Sequence, residues 1–345
     1  MTAHKTVVVG DPQTTFQQFV DVLAQHECLN ADGRIHPHIQ LIAVGDYFDF
    51  GRAGVSRKQA QAHGLAILKW LADHDEAHVH ILMGNHDLCR VMELYALSDE
   101  AFDEAHALAC AGDERVYRQI YPDLPPMGVV ARDFSAFCVA QRRLLQSLLM
   151  ARRAKLAHVV QLDVSRPVLV THAGVTTGEL AHLNCIDATP RVIAAKLNSY
   201  LDDAVDAVRQ SWSDGIDAPL NLEPLHIAGG AGQEGRGLLY KRPTTKELEP
   251  NDLQQPARRF QITQLPRRLH QICGHTQHKK CQKLMPGLVD DGELSRGQIR
   301  TLTVGTDRHQ YRLGAHLPQP DDACLWMVDS GLNYWPAESV DVLVC

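Results

Sequence analysis

No CxxC pair, no apolar run long enough to span a bilayer and no excess of basic charge occur in this sequence. Its nine cysteines, Cys28, Cys89, Cys110, Cys138, Cys185, Cys273, Cys281, Cys324 and Cys345, are scattered and odd in number. That pattern argues against a disulfide framework or a zinc knuckle and for reduced thiols in a cytoplasmic protein. Without a spanning run, a soluble chain with no membrane partner is expected. The start lacks a basic segment, a following apolar stretch and a small-residue cleavage site, and runs directly into an apolar strand. A formal charge of −7 makes nucleic acid an unexpected partner, because such binders present a basic, aromatic-interleaved face. Internal repeats and low-complexity linkers are also missing. The 345 residues are therefore read as one domain, 1–345, with helical insertions at about 88–165 and about 178–225.

What the sequence does hold is histidine, 19 in all, and short apolar runs that stop at acidic residues. Residues 5–9 form a β-branched run ending in Gly10-Asp11, and 16–25 have helical spacing of apolar residues. A second short run at 41–44 ends in Gly45-Asp46, 59–72 reads as an amphipathic helix, and a third strand at 78–83 ends in Gly84-Asn85-His86-Asp87. This alternation predicts a partly parallel sheet with right-handed crossovers. Ligands gather beyond the carboxyl ends of such strands.

From 88 to about 162 the spacing turns helical, with a break at 121–128 containing Pro122, Pro125 and Pro126. Arg142, Arg143, Arg152, Arg153 and Lys155 are read there as a solvated helix face, with a basic groove as the alternative. A strand at 167–171 ends in His172-Ala173-Gly174, and a helix over 190–210 leads to Trp212-Ser213-Asp214. The glycine-rich stretch 229–237 reads as a loop without a dinucleotide fingerprint. Ile272-Cys273 precedes Gly274-His275-Thr276, and strands are expected at 298–304, 309–313, 324–328 and 340–344.

Five strand-end motifs thus recur in order: Asp11-Pro12-Gln13, the stretch from Gly45 to Gly51 that contains Asp46 and Asp49, Gly84-Asn85-His86-Asp87, His172-Ala173-Gly174 and Gly274-His275-Thr276. Each contributes a carboxylate, amide or imidazole at a strand end, which is the ligand mix that suits manganese, iron, zinc, cobalt or nickel. Two such ions can share a bridging carboxylate, lower the pKa of bound solvent and neutralise charge on a phosphate.

This order of motifs resembles the calcineurin-like metallophosphoesterases, and more closely their bacterial phosphoprotein-phosphatase branch, over roughly residues 7–331. Supporting features are Arg90 and Tyr95 after the Gly-Asn-His-Asp motif, Trp212-Ser213-Asp214, Arg236-Gly237 and Asp329-Ser330-Gly331. The resemblance implies an α/β fold, a sandwich of two mixed β-sheets flanked by helices, with helical insertions. It implies two divalent metals, with manganese expected. Asp11 and Gln13 would bind the first, Asp46 would bridge, and Asn85, His172 and His275 would bind the second. It further implies that His86 is the general acid, oriented by Asp49, and that Arg236 and Asn85 hold the substrate phosphate.

Gln13 stands where the family usually has histidine, and position 277 is also Gln. A neutral amide oxygen is a weaker, harder ligand, so the first site is expected to be labile or to select manganese or magnesium. His278 is an alternative ligand that is expected at the surface. Phe50 occupies the place of a phosphate-clamping arginine, with Arg52 and Arg90 as candidate substitutes. The function these features imply is phosphate monoester hydrolysis, on a phosphoprotein or small molecule, by attack of a metal-bridging hydroxide. The alternatives are hydrolysis of dinucleoside polyphosphate anhydrides, and a catalytically degenerate binding protein.

Overall fold

The computed structural model describes residues 5–51, 54–163, 166–290, 292 and 296–345. In chain order the elements begin with β1 (Lys5–Val9), α1 (Phe16–Gln25), β2 (Ile39–Ala43), α2 (Arg57–Ala72), β3 (Val79–Leu82) and α3 (Asn85–Leu88). A helical region follows, with α4 (Asp99–Ala111), α5 (Glu114–Ile120), α6 (Met127–Arg132) and α7 (Val139–Met150). Then come β4 (Ala154–Lys155), β5 (Ala157–Asp163), β6 (Arg166–Thr171), α8 (Thr177–His182) and α9 (Pro190–Ser213). Short strands β7 (His226–Ile227), β8 (Arg236–Gly237), β9 (Arg242–Thr244) and β10 (Arg259–Gln261) precede β11 (His270–Cys273) and α10 (His278–Leu284). The chain ends with β12 (Arg300–Val304), β13 (His309–Leu313), β14 (Ala323–Met327) and β15 (Leu343–Val344).

Two mixed sheets carry the architecture. One has the order β15-β1-β2-β3-β4, the other β13-β12-β14-β11-β6-β5. β1 to β4 run parallel, with β15 antiparallel at the edge. In the second sheet β6, β11 and β14 are parallel, flanked by antiparallel β5 and β12. The period-2 alternation of the strands divides their side chains between two faces. Val8, Ile42 and Leu82 of the first sheet meet Val160, Val168, Val170, Ile272 and Trp326 of the second. The other face of the first sheet, including Val7, Leu41 and Ile81, packs on Phe19, Val22 and Leu23 of α1 and Ile67, Leu68 and Leu71 of α2. Outside the second sheet, Cys273, Leu302, Leu325 and Met327 meet Cys281 and Leu284 of α10. Each such fully buried side chain contributes roughly 1.5–3 kcal/mol relative to exposure.

Local signals set the helix starts. Thr15 accepts a hydrogen bond from the Gln18 amide at 3.2 Å, and Ser56 with Gln59 closes a capping box on α2. These caps place α1 at 16–25 as the sequence predicts, and start α2 two residues before the expected 59.

The structure departs from expectation in three places. The helical character read through about 162 stops at Met150, because β4 and β5 take residues 154–155 and 157–163. β5 pairs antiparallel with β6, so its apolar residues satisfy a sheet rather than a helix. At the C-terminus only Leu343–Val344 of 340–344 is strand. The basic cluster is only in part a solvated face: Arg143 and Arg152 are exposed. Arg142 is buried and donates to the carbonyls of Leu94 and Leu97 while pairing with Asp217. Arg153 donates to the carbonyls of Val79 and His74. Both supply donors to part-buried or buried backbone carbonyls.

Among the described residues no helix is long and apolar enough to cross a membrane. All nine cysteines are free.

Candidate metal centre and catalytic site

Six strand ends converge at one edge of the sandwich, three from each sheet. β1, β2 and β3 lead to Asp11, Asp46 and Asn85, and β6, β11 and β14 lead to His172, His275 and Asp329. Asp11, Asp46 and His275 adopt left-handed φ of 38°, 61° and 63°. These sharp turns swing each side chain back over the sheet edge, and conformations of this kind cluster at functional sites. Two glycines make room. A Cβ at Gly84 would fall on the Asp46 carboxylate, and one at Gly274 on that of Asp11.

Hydrogen bonds fix the constellation. The Asp11 carboxylate accepts from the His275 amide at 3.0 and 2.8 Å, and Asp46 Oδ1 from the His86 amide at 2.9 Å. Asp87 accepts from the amides of Asp46, Tyr47 and Gly84 at 2.7, 2.9 and 2.8 Å, tying the β2 and β3 loops together. Burial, followed by the charge of Asp46, pushes Asp87 up to about 7.

The two candidate ligand histidines, His172 and His275, are oriented by backbone carbonyls. His172 Nδ1 donates to Val44 O at 2.9 Å, and His275 Nε2 to Tyr240 O at 3.0 Å. Burial lowers both pKa values, that of His275 further under the charges of Arg242 and His172, so both rings are neutral. Each ring thus carries one committed N–H and one free lone pair, the state a metal ligand requires.

These residues pass a test of fit for a cation. Ligand atoms of Asp46, His172 and His275 lie within 4.8 Å of one another, all three residues buried. His172 Nε2 is 3.1 Å from Asn85 Oδ1 and 3.4 Å from Asp46 Oδ2. With Nδ1 holding the proton, three electron-rich atoms face one another, an arrangement that a positive ion between them satisfies. Burial raises the Asp11 pKa well above the carboxylate range, and the charges of Asp329 and Asp46 add to it. Cations relieve this repulsion too.

The predicted first-site neighbour Gln13 donates through Nε2 to Phe48 O at 2.7 Å. Its Oε1 is left for other partners, and its side chain lines a cavity of about 50 Å³ with Asp11, Asp49, Gln277 and Asp329. Gln277 Nε2 lies 3.5 Å from Asp329 Oδ1. His278 is buried, not superficial, and its Nδ1 is 2.7 Å from the Tyr311 hydroxyl. Asp329 had no role in the sequence reading beyond its motif. Its signal was there: a sixth strand followed by Asp-Ser-Gly.

His86 Nδ1 donates to Asp49 Oδ2 at 3.2 Å, and Arg90 Nη1 to the same oxygen at 2.6 Å. Asp49 Oδ1 accepts from the Ala136 amide at 2.7 Å. Burial opposes ionisation of Asp49, but Arg90 and then His86 overcome it and hold the carboxyl below its usual range. Burial likewise opposes protonation of His86, and the carboxylates of Asp46 and Asp49 outweigh it, raising the imidazole to about 9. The Asp49 share of that rise persists when cations neutralise Asp46.

The arginines expected to bind phosphate fare unevenly. Arg90 is fully buried, stacked 4.6 Å from the Phe48 ring centroid, and its Nε donates to Gln141 Oε1. Its place is behind Asp49, not in the cavity. Arg236 is half-buried on β8, its guanidinium forms no hydrogen bond or ion pair among the described residues, and it does not line the cavity over Asp11 and Asp49. Arg52 lies outside the described residues. Trp212 and Ser213 form the last turn of α9, with Trp212 Nε1 donating to Ala218 O at 2.8 Å, a packing contact.

A model of the family described as calcineurin-like phosphoesterases matches residues 4–251, well over half of the chain. This chain is a calcineurin-like phosphoesterase. The family's chemistry is hydrolysis with two metal ions, and Asp46, His172 and His275 are a group that could hold a metal ion. No curated protein matches the sequence. Two solved structures that resemble this phosphoesterase are of cold-active protein-tyrosine phosphatase, the first from a psychrophilic Shewanella species. One is 14% identical with a TM-score of 0.41, covering 99% of this chain and 75% of that one. The other is 14% identical with a TM-score of 0.40, covering 99% and 73%.

Proposed function

We propose that this phosphoesterase hydrolyses phosphate monoesters, with His86 as general acid and a pair of metals, manganese first among them, at Asp11, Gln13, Asp46, Asn85, His172 and His275. The observation that carries this reading is the His86–Asp49–Arg90 relay beside Asp46. Two divalent ions would activate solvent and neutralise charge on the phosphoryl oxygens. The chain supplies the rest. Asp49 holds the proton of His86 on Nδ1, so Nε2–H is the donor left to meet a leaving oxygen. Arg90 keeps Asp49 ionised, and Ala136 N fixes its second oxygen. Asn85, whose Oδ1 lies 3.1 Å from His172 Nε2, would hold a phosphoryl oxygen through its Nδ2. A general acid matters most for a poor leaving group such as an alkoxide, and matters less for an anhydride, whose phosphate leaves as a stable anion.

The test is turnover of p-nitrophenyl phosphate with manganese. Asp46→Asn is expected to abolish it and His86→Ala to lower kcat by about 10²–10⁴-fold. Turnover unchanged in Asp46→Asn would sink the reading. A second reading, phosphoanhydride hydrolysis of dinucleoside polyphosphates, is favoured by a cavity of about 570 Å³ lined by Tyr334, Trp335, Gln277 and Asp329, which has room for an aromatic base. Comparing products from diadenosine tetraphosphate and from phosphopeptides separates the two. Less than one metal per chain after manganese loading would instead favour a degenerate binding protein.

A further inference from the structure

Between β9, β10 and α10 lies a small cleft of about 120 Å³, lined by Arg242, Arg258, Arg259, Lys280 and Lys283, with Leu284 at its base. Five cations are gathered there in a chain of net charge −7. Two have acidic partners: Arg258 pairs with Glu234, and Arg259 Nη1 lies 3.8 Å from Asp252. Arg242, Lys280 and Lys283 form no ion pair among the described residues. The Nε of Arg242 is buried with no acceptor, and an orphaned guanidinium donor of this kind carries a full desolvation cost. The cations also repel one another. After burial, Arg258 is the next influence lowering Arg242, and Arg242 the next lowering Lys280.

The cleft borders the metal centre. Arg242 is two residues past Tyr240, whose carbonyl receives the His275 N–H, and its charge is felt at His275, Asp46 and Asp329. Register pairing of Arg242 with Arg259 sets two guanidinium-bearing positions side by side. The lining has no aromatic ring on which a base could stack, and the volume is well below that of a pocket for a drug-sized ligand. A compact anion with several acceptor oxygens fits it, and planar guanidinium forks beside ammonium groups suit phosphate.

We propose that this cleft is a second-phosphate subsite, so that the preferred substrates carry a further phosphate group beyond the one removed. The inference rests on the phosphatase reading for its role in turnover, but the subsite itself is testable by binding. A phosphoanhydride chain or a second ester phosphate would each supply the required anion.

Lys283 and Lys280 are exposed on α10, so reversing their charge leaves the core packing alone. Binding of inorganic pyrophosphate to the manganese-loaded protein is measured by calorimetry for wild type and for Lys280→Glu/Lys283→Glu. Affinity is expected to fall by about tenfold or more, the loss of one or two charge-assisted contacts. In parallel, kcat/KM is compared for p-nitrophenyl phosphate, a nucleoside triphosphate and a hexose bisphosphate. The ratio of polyphosphorylated substrate to p-nitrophenyl phosphate should fall by about tenfold in the variant, and whichever substrate falls more identifies the source of the second phosphate. Equal pyrophosphate affinity in both proteins, or an unchanged ratio, overturns the subsite while leaving the phosphatase reading in place. Lysine-dependent pyrophosphate binding without turnover of any substrate supports the subsite and defeats the phosphatase reading.

Discussion

Arg90 shows how one residue's role turns on where its side chain ends. In sequence it follows Gly-Asn-His-Asp and is a natural stand-in for the clamp missing at Phe50. In the structure its guanidinium is fully buried, pairs with Asp49 at 2.6 Å and stacks on Phe48. Arg90→Met should therefore destabilise the fold by roughly 3–5 kcal/mol, because it leaves the Asp49 charge buried with a weaker partner. It should also lower kcat by about tenfold or more through the slackened His86, with KM for p-nitrophenyl phosphate kept within about twofold. A substrate clamp gives the opposite split, so a large rise in KM at preserved kcat would show that Arg90 reaches the phosphate. The ligand candidates were legible because each is a polar residue at the sharp end of an apolar run. Burial of an arginine leaves no such trace in sequence. Nor does proximity between separate elements, such as that of Arg242 on β9 to His275, 33 positions later.

At the level of elements, the site exists because strands from two sheets end at the same edge with glycines beside their carboxylates. Gly84 and Gly274 have backbone angles open to alanine, since neither has a positive φ. What forbids a side chain is space, because each Cβ would occupy the position of a ligand oxygen. Gly84→Ala is thus expected to keep the secondary structure, cost about 1–3 kcal/mol from overpacking, and release metal by displacing Asp46. Circular dichroism with metal analysis checks this. Wild-type manganese content in Gly84→Ala would mean that the β3 turn does not set the position of Asp46. The parallel strands β1, β2, β3, β6 and β14 were readable from their short apolar runs. β5 was not, because residues 157–163 continue the apolar density of α7 after only a short break, and pairing with β6 decides its conformation. The two-residue strands β7 and β8 are too short to show any period.

Across the whole molecule, the sandwich carries a polar row between its sheets near the starts of β1, β2 and β3, away from the site at their carboxyl ends. The His80 ring on β3 stacks on that of His158 on β5 with centroids 3.8 Å apart, joining one sheet to the other. Gln40 on β2 lies 2.9 Å from His80 Nε2, and Thr6 on β1 reaches Gln40. Burial lowers His80 to about 3, with the charge of His158 adding to it, and lowers His158 to about 4. Both are neutral in the fold at pH values where the unfolded chain protonates them near 6.5. Because the unfolded state then binds more protons, stability from this pair is complete above about 6.5 and is lost as pH falls toward 4. The slope has an upper limit of about 1.4 kcal/mol per pH unit for each histidine, reduced here by partial solvent access. His158→Phe keeps the ring contact and removes one titration. Its urea midpoint should therefore fall less steeply between pH 7 and pH 5 than that of wild type. Parallel curves for the two proteins would show that the histidines joining the sheets do not govern the acid sensitivity of the fold.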